Sequence, residues 1–180
     1  MRDELKIPML YVTHSFDELA RLADHLVVLE HGKVRGAGPV ADVLSAIDAP
    51  LVAGDEIGAL LRGTIVQRDS AWHLACVEFA GGRLWLRDSG VPEGQAVRLR
   101  VLARDVSVAT VLPQHTSIQN HLACTIESMA DDRHPSQALL RLRCGESILL
   151  ARITRRAVDG LALRPGLQVW AQVKSAALVQ

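Results

Sequence analysis

The pattern of apolar and polar positions divides this chain of 180 residues into two parts, with the change near residue 58. In the first part, an apolar run at residues 9–14 predicts a buried strand. The following Ser15 and Glu18 have the spacing of a capping box, which predicts a helix to about Asp24. The rest of this part predicts a strand at residues 26–29, a turn at 31–32, a returning strand at 33–35 and a short helix from Pro39 through Leu44. Residues 1–50 are therefore expected to form an α/β segment.

From residue 58 onward, short β-type runs alternate with turn clusters and no segment shows sustained helical spacing. This part contains a repeat, because Leu-Arg-Gly-Thr-Ile at residues 61–65 resembles Leu-Ala-Cys-Thr-Ile at residues 122–126. Residues 92–101 and 165–173 share a second pattern, Gly-x-x-Val-x-x-x-Val, at a longer spacing. The later copy must therefore carry an insertion, and part of it is expected at residues 129–135. We predict two related β-units, 58–111 and 112–180, which pack against each other to cover their small cores.

Composition limits the classes of partner. The chain has 20 basic and 20 acidic side chains and no long run of either sign, which argues against nucleic-acid binding and against a general membrane-surface patch. Aromatic residues make up 3% of the chain, too few for a platform on which single-stranded nucleic acid stacks. No apolar run approaches the roughly 18 to 20 residues that span a bilayer. Small ligands and proteins are the expected partners.

The three cysteines, Cys76, Cys124 and Cys144, form no closely spaced pair and their number is odd. We therefore expect three inert, buried thiols in a reducing, cytosolic setting. The histidines lack the spacing of metal ligands and have no cysteine pair nearby, so no metal site is predicted.

His14 follows the predicted strand and precedes the capped helix, a junction where a side chain is held rigidly and can face a ligand. A purely structural role in helix capping is the alternative. The sequence from residue 11 to 34 closely resembles the end of the nucleotide-binding domain of ABC transporter ATPases, with Asp17, Glu18 and Asp24 also in the family pattern. The resemblance implies that His14 is the switch histidine, which contacts the γ-phosphate of ATP and helps to position the attacking water.

Three motifs that this family places upstream are missing from the chain. They are the phosphate-binding loop Gly-x-x-x-x-Gly-Lys-Ser/Thr, the Leu-Ser-Gly-Gly-Gln signature and the apolar run ending in Asp-Glu. We therefore expect that the chain alone neither binds ATP tightly nor hydrolyses it. ATP and magnesium would act only in a full-length parent, with residues 1–50 as the C-terminal fragment of its nucleotide-binding domain.

A second candidate site combines residues 116–123, Thr-Ser-Ile-Gln-Asn-His-Leu-Ala, with Val-Lys-Ser at residues 173–175. These segments offer hydroxyls, amides and an ammonium group, and a tetrahedral oxyanion only accepts hydrogen bonds. They resemble the molybdate-binding mop module, which also occurs duplicated at the end of the ATPase subunit of molybdate importers. With the ABC segment and the repeat, the resemblance covers essentially the whole chain. It implies a mainly β fold of duplicated OB-like mop/TOBE β-barrel units, preceded by a short α/β fragment of an ABC ATPase domain.

Carried over to this sequence, the resemblance makes Ser117 and the backbone around Gln119 and Asn120 hydrogen-bond donors to molybdate or tungstate. Lys174 and Ser175 add a positive charge and another hydroxyl. Many members of the family have arginine where this chain has Gln119, so Lys174 is the one obvious cation of the site. The alternative is that these residues form turns between strands and that Lys174 is solvated.

The resemblance implies a regulatory domain that senses molybdate or tungstate and inhibits import when internal molybdate is sufficient. It also implies a homodimer through the β-domain, a transmembrane permease as partner of the full-length parent, and a cytoplasmic location on the inner face of the cell membrane. The alternative belongs to a different class of function. In it, the β-domain binds no ligand and serves for dimerisation and docking in an importer of another substrate.

Overall fold

The computed structural model describes residues 8–46 and 57–179, apart from the side chains of Phe16 and Asp17. The ends of the predicted segment 1–50 therefore lie outside the described residues. The predicted mainly β fold is confirmed. The described strands are β1 His25–Glu30, β2 Lys33–Pro39, β3 Gly58–Asp69, β4 Leu74–Phe79, β5 Gly82–Arg87, β6 Ala96–Leu102, β7 Val106–Ala109, β8 Asn120–Asp131, β9 Gln137–Cys144, β10 Ser147–Thr154, β11 Gln168–Val173 and β12 Ala177–Val179. The described helices are α1 Phe16–Leu22, α2 Val40–Leu44 and α3 Arg155–Gly160, with a 3-10 turn at Ala103–Asp105.

From Ser15 onward, the helices and strands of the first part of the chain come in the predicted order. The Ser15 hydroxyl accepts a hydrogen bond from the Glu18 N–H at 3.4 Å, which caps α1. Strands β1 and β2 pair antiparallel across His31 and Gly32, whose φ angles of 49° and 74° match the two-residue turn of a hairpin. Helix α2 begins after Pro39, as predicted. These features were predictable because each depends on neighbouring residues.

The predicted strand at residues 9–14 is wrong. These residues have no regular structure, and Leu10 and Val12 are 95% and 90% exposed. A strand exists only where another strand accepts and donates its backbone hydrogen bonds, and none of the described strands lies beside this run. The apolar pattern therefore indicates that residues 9–14 are suited to a place in a sheet. They form no strand in this structure.

Strands β3 to β12 form two five-stranded sheets that repeat each other. The first has the order β12-β6-β3-β4-β5 and the second β10-β9-β8-β11-β7. The β3–β4 register shifts between Ile65 and Gln67, and the β8–β9 register shifts between Ile126 and Ser128, at the same point of the repeat. The predicted repeat is confirmed by this shared bulge. The extra length of the second copy lies partly in the β8–β9 hairpin, as predicted, and partly in α3, a helix that the sequence pattern did not predict.

One strand of each sheet comes from the other copy of the repeat. Strand β7 pairs with β11 in the second sheet, and β12 pairs with β6 in the first. Each sheet therefore contains one strand from outside its own predicted unit, 58–111 or 112–180. These domain boundaries stay a prediction. The two sheets share one continuous apolar core, which includes Ile65, Leu84, Leu99, Ile126, Leu142 and Leu149.

The expectation of three free thiols is wrong for two of the cysteines. Cys124 on β8 and Cys144 on β9 form a disulfide. The pairing of Thr125 with Arg143 places the two cysteines directly opposite each other on neighbouring strands, a closeness that their separation of 20 residues does not reveal. Cys76 is a buried free thiol, as expected, and burial raises its pKa.

The first part of the chain is attached to both sheets through arginines. Arg98 on β6 donates hydrogen bonds to the carbonyl oxygens of Ala20 and Ala23 at 3.0 and 2.7 Å and forms an ion pair with Asp24. These carbonyls lie at the C-terminal end of α1, where a positive charge is favourable. At the other end of the segment, Arg141 on β9 donates to the Ser45 hydroxyl at 2.9 Å. Helix α1 and the residue that follows α2 are thus bound by arginines from different copies of the repeat, while α2 itself packs against Leu60 of β3.

Candidate functional site

Both segments of the predicted oxyanion site meet at one solvent-open cleft of about 490 Å³. Ser117, Gln119 and Asn120 line it from the chain that leads into β8, and Lys174 lines it from the end of β11. Ser175 follows Lys174 directly and is exposed. The remaining lining is apolar and consists of Leu74, Trp85, Ile118 and Val173. Leu74 and Trp85 belong to the first sheet, so the cleft lies between the two copies of the repeat.

The side chain of Asn120 holds the two sheets together at the base of the cleft. Its Oδ1 accepts a hydrogen bond from the Trp85 N–H at 2.7 Å, and its Nδ2 donates to the Trp85 carbonyl at 2.9 Å. The same Nδ2 donates to the Val173 carbonyl at 3.4 Å. Because both amide atoms are occupied by backbone groups, the Asn120 side chain positions the cleft walls and has no polar atom left for a ligand.

Replacing Asn120 by alanine is expected to lower the free energy of unfolding by about 1 to 2 kcal/mol, because the half-buried Trp85 backbone groups lose their partners. Thermal or denaturant unfolding measures this. Gln119→Ala is the matched control, since the Gln119 side chain is exposed and makes no hydrogen bond within the described part of the chain. Equal stability of the two variants would show that the Asn120 bridge contributes nothing.

Backbone donors become available where β8 and β11 separate. The last pair of this ladder is Asn120 with Val173, and β8 and β11 do not pair with each other beyond it. Lys174 donates its N–H to the Asp105 carbonyl at 2.8 Å, and Ile118 donates to the Thr116 hydroxyl at 3.2 Å. Within the described residues, no hydrogen bond uses the N–H groups of Ser117, Gln119 or Ser175. Three amides and two serine hydroxyls are thus present around the cleft as donors.

The charge of the cleft comes from Lys174. Its side chain is exposed and forms no ion pair with the acidic residues that the structure describes. Gln119 contributes an uncharged amide. An ammonium group surrounded by N–H and O–H donors, without a carboxylate in the lining, suits a small anion.

Two lining residues, Leu74 and Trp85, lie outside the two predicted segments. They come from the first sheet, and the sequence pattern gives no sign that β4 and β5 reach the start of β8. The repeat could have pointed to them, because it requires the two copies to pack against each other.

His14 lies outside this cleft. It is exposed, in the irregular segment before α1, and its ring makes no hydrogen bond within the described residues. Its role as a switch histidine stays a prediction. The described residues contain no cluster of His, Cys, Asp or Glu that would hold a metal ion, and no described helix is both long and apolar enough to cross a bilayer.

Comparisons with known proteins agree with this fold. The TOBE domain family matches residues 116–179, the segment that supplies Ser117, Gln119 and Lys174. A solved structure of the cytoplasmic molybdate-binding protein ModG, with molybdate bound, has a TM-score of 0.57 and covers 66% of this chain and 93% of its own. Its sequence identity is 22%, so this likeness concerns the fold alone. The chain thus carries a TOBE domain.

Curated relatives extend the similarity over the whole chain. The molybdenum import ATP-binding protein ModC of Methylococcus capsulatus is 49% identical over 180 residues, which are 100% of this chain and 51% of that protein. ModC of Thiobacillus denitrificans is 50% identical over 179 residues, 99% of this chain and 49% of that protein. ModC of Pseudomonas aeruginosa is 43% identical over 181 residues, 99% of this chain and 50% of that protein. The chain belongs with these molybdenum import ATP-binding proteins, as its sequence predicted, and spans about half of their length.

Proposed function

We propose that this chain binds molybdate or tungstate in the cleft between its two sheets and acts as the oxyanion-sensing part of an ABC importer's ATPase subunit. The observation that carries the proposal is the convergence of unused donors with Lys174 where β8 and β11 separate. Both anions are tetrahedral, doubly charged and only accept hydrogen bonds, which matches a lining of N–H, O–H and ammonium groups. The relatives named for molybdenum import make these anions the first to test.

In this proposal, the N–H groups of Gln119 and Ser175 and the hydroxyls of Ser117 and Ser175 donate to the anion. The Lys174 ammonium neutralises part of its charge. Asn120 contributes by holding Trp85 and Val173 in place beside the anion. Trp85 and Ile118 form apolar parts of the wall beside the anion.

The proposed regulatory role has a physical route through β12. This strand begins two residues after Ser175, pairs with β6, and places Val179 opposite Arg98. Val179 packs against the apolar cluster that contains Ala20 of α1, and Arg98 binds the carbonyl oxygens at the end of that helix. An anion that fixes Ser175 therefore acts on a strand in contact with the helix that follows His14. Feedback inhibition requires such a connection between the oxyanion cleft and the region of His14. Binding of one ligand must change the binding equilibrium of the other.

The remaining parts of the proposal concern the whole subunit. We infer that it forms a homodimer through the β-domain and attaches to a transmembrane permease on the cytoplasmic face of the membrane. ATP and magnesium would bind in the part of the subunit that this chain lacks. His14 would then act as its switch histidine.

A calorimetric titration of this chain with sodium molybdate tests the proposal. We expect saturable heat at constant ionic strength and a higher melting temperature in the presence of the anion, because a ligand that binds only the folded state stabilises it. Sodium sulfate at the same concentration is the control for ionic effects. Absence of both the heat and the thermal shift at millimolar molybdate would contradict oxyanion binding.

A docking domain without a ligand is the second candidate, favoured by the neutral Gln119 at a position where a cation would strengthen anion binding. Size-exclusion chromatography with and without molybdate distinguishes the two. A dimer whose elution and melting temperature ignore the anion supports docking alone. A dimer that the anion stabilises supports the sensing function.

A further inference from the structure

Arg87 on β5 is placed beside the cleft by the alternation of its strand. Leu84 and Leu86 belong to the apolar core and are 0% and 6% exposed, so Trp85 and Arg87 share the opposite face of β5. Trp85 lines the cleft. Arg87 pairs directly with Leu74 of β4, which also lines the cleft. Two neighbours of Arg87 on this face therefore belong to the cleft wall.

Arg87 also starts from the strand that is nearer to the donors of the cleft. Strand β5 is the edge of the first sheet, and Asn120 of β8 binds the Trp85 backbone across that edge. Strand β5 therefore lies between β4 and β8, and Leu74 lines the cleft from one strand further away. Because the Arg87 side chain is long and exposed, its guanidinium group can reach an anion held by those donors.

The guanidinium group of Arg87 has its donors unused. Its side chain makes no hydrogen bond or ion pair with any residue that the structure describes. The adjacent carboxylate, Asp88, already accepts hydrogen bonds from Nε and Nη2 of Arg68 at 2.9 and 2.7 Å. Glu93 accepts a hydrogen bond from the backbone N–H of Arg68 at 2.8 Å. The carboxylates at this end of the first sheet are thus bound to other donors.

The equivalent arginine of the second copy of the repeat has a partner inside the protein. Arg87 pairs with Leu74, and Arg152 pairs with Leu139, at the same point of the two repeated hairpins. Arg152 forms an ion pair with Asp132 at 2.5 Å, and both side chains are at most 8% exposed. The same position therefore carries a buried, neutralised arginine in one copy and an exposed arginine beside the cleft in the other.

We propose that Arg87 is a second cation for the anion in the cleft, contributed by the first sheet. The proposal rests on the proposed function for the identity of the ligand. Lys174 brings one positive charge from the second sheet, and Gln119 brings none. A tetrahedral dianion in contact with Lys174 and Arg87 has both of its charges balanced, and the planar guanidinium group donates to two of its oxygens. A cation from the opposite wall thus compensates for the neutral Gln119.

Calorimetric titration of the Arg87→Ala variant with sodium molybdate tests the proposal. We expect the affinity to fall by about three- to fivefold, the size of an exposed charge interaction. The melting temperature without the anion should not change, because the exposed Arg87 side chain has no described partner to lose. Arg87→Lys keeps the charge and should bind molybdate more tightly than Arg87→Ala. An Arg87→Lys variant as weak as Arg87→Ala would overturn the electrostatic role.

Arg83→Ala is the matched control. Arg83 lies two residues before Trp85 on the same face of β5, as Arg87 lies two residues after it. It pairs with Glu78, away from Leu74, and its Nε donates to the Glu78 carboxylate at 2.9 Å. Its removal changes the net charge by the same amount, and the affinity should stay within about twofold of the wild type. A loss equal to that of Arg87→Ala would overturn the proposal, because the anion would then respond to overall charge.

The outcome for the wild-type chain separates this proposal from the function on which it rests. If the wild-type chain binds molybdate and Arg87→Ala binds it equally well, Arg87 is not a ligand and the proposed function stands. If the wild-type chain gives no heat with molybdate, the proposed function fails, and the role of Arg87 fails with it.

Discussion

Replacing Lys174 by alanine is expected to weaken molybdate binding by at least about tenfold, because a charge-assisted hydrogen bond contributes about 1.5 to 3 kcal/mol. The effect should be large in this protein since the lining of the cleft provides no other positive side chain. The Lys174 side chain is exposed, and its backbone N–H to Asp105 is unaffected by the substitution. The loss should therefore appear in affinity without a comparable loss of stability. Isothermal titration calorimetry measures it directly.

Lys33→Ala is the matched control for this experiment. Lys33 is an exposed lysine at the start of β2, in the hairpin of the first part of the chain, so its removal changes the net charge by the same amount. Equal affinities for the two variants would show that the anion responds to overall charge and not to Lys174. Repeating both titrations at higher salt strengthens the comparison, because screening weakens long-range attraction more than direct contact.

Loss of the Cys124–Cys144 disulfide is expected to lower the free energy of unfolding by about 3 kcal/mol, the value for a loop of similar length. The disulfide joins the hairpin of β8 and β9, and β8 begins at Asn120 beside the cleft. A less stable hairpin should therefore also weaken the site. Denaturant unfolding with and without a reducing agent measures the difference.

The double variant Cys124→Ala, Cys144→Ala separates the disulfide from other effects of reduction. Its stability should not change when the reducing agent is added, whereas that of the wild-type chain should fall. Cys76→Ala is a further control, because Cys76 is a free buried thiol and its loss leaves the disulfide intact. If reduction left the wild-type unfolding curve unchanged, the disulfide would carry no stability.

Features that depend on nearby residues were predictable from the sequence. The Ser15 cap, the turn at His31 and Gly32, and helix α2 each follow from side chains and backbone preferences within a few positions. The repeat was visible because two copies of one fold need apolar residues at the same points of each ladder. The two segments that meet at the cleft were recognised by their donors at both ends of the second copy.

Features that depend on distant partners were not predictable in the same way. Residues 9–14 have the composition of a strand, but a strand also needs a neighbour, and the described structure provides none. The disulfide depends on cross-strand register, which the spacing of its two cysteines does not encode. Trp85 lies at the cleft because the two sheets pack together, and Asn120 binds its backbone from the other sheet.

The exchange of β7 and β12 has a consequence for how the two copies came together. Each copy completes its neighbour's sheet with its last strand, as two separate chains do when they swap an identical element. The protein therefore has the topology of a strand-swapped dimer whose two halves are joined by one linker. Cutting the chain between β7 and β8 would leave two fragments that complement each other, neither of which has a complete sheet. With the halves joined, they are always present in equal numbers, so each sheet always has the strand that completes it.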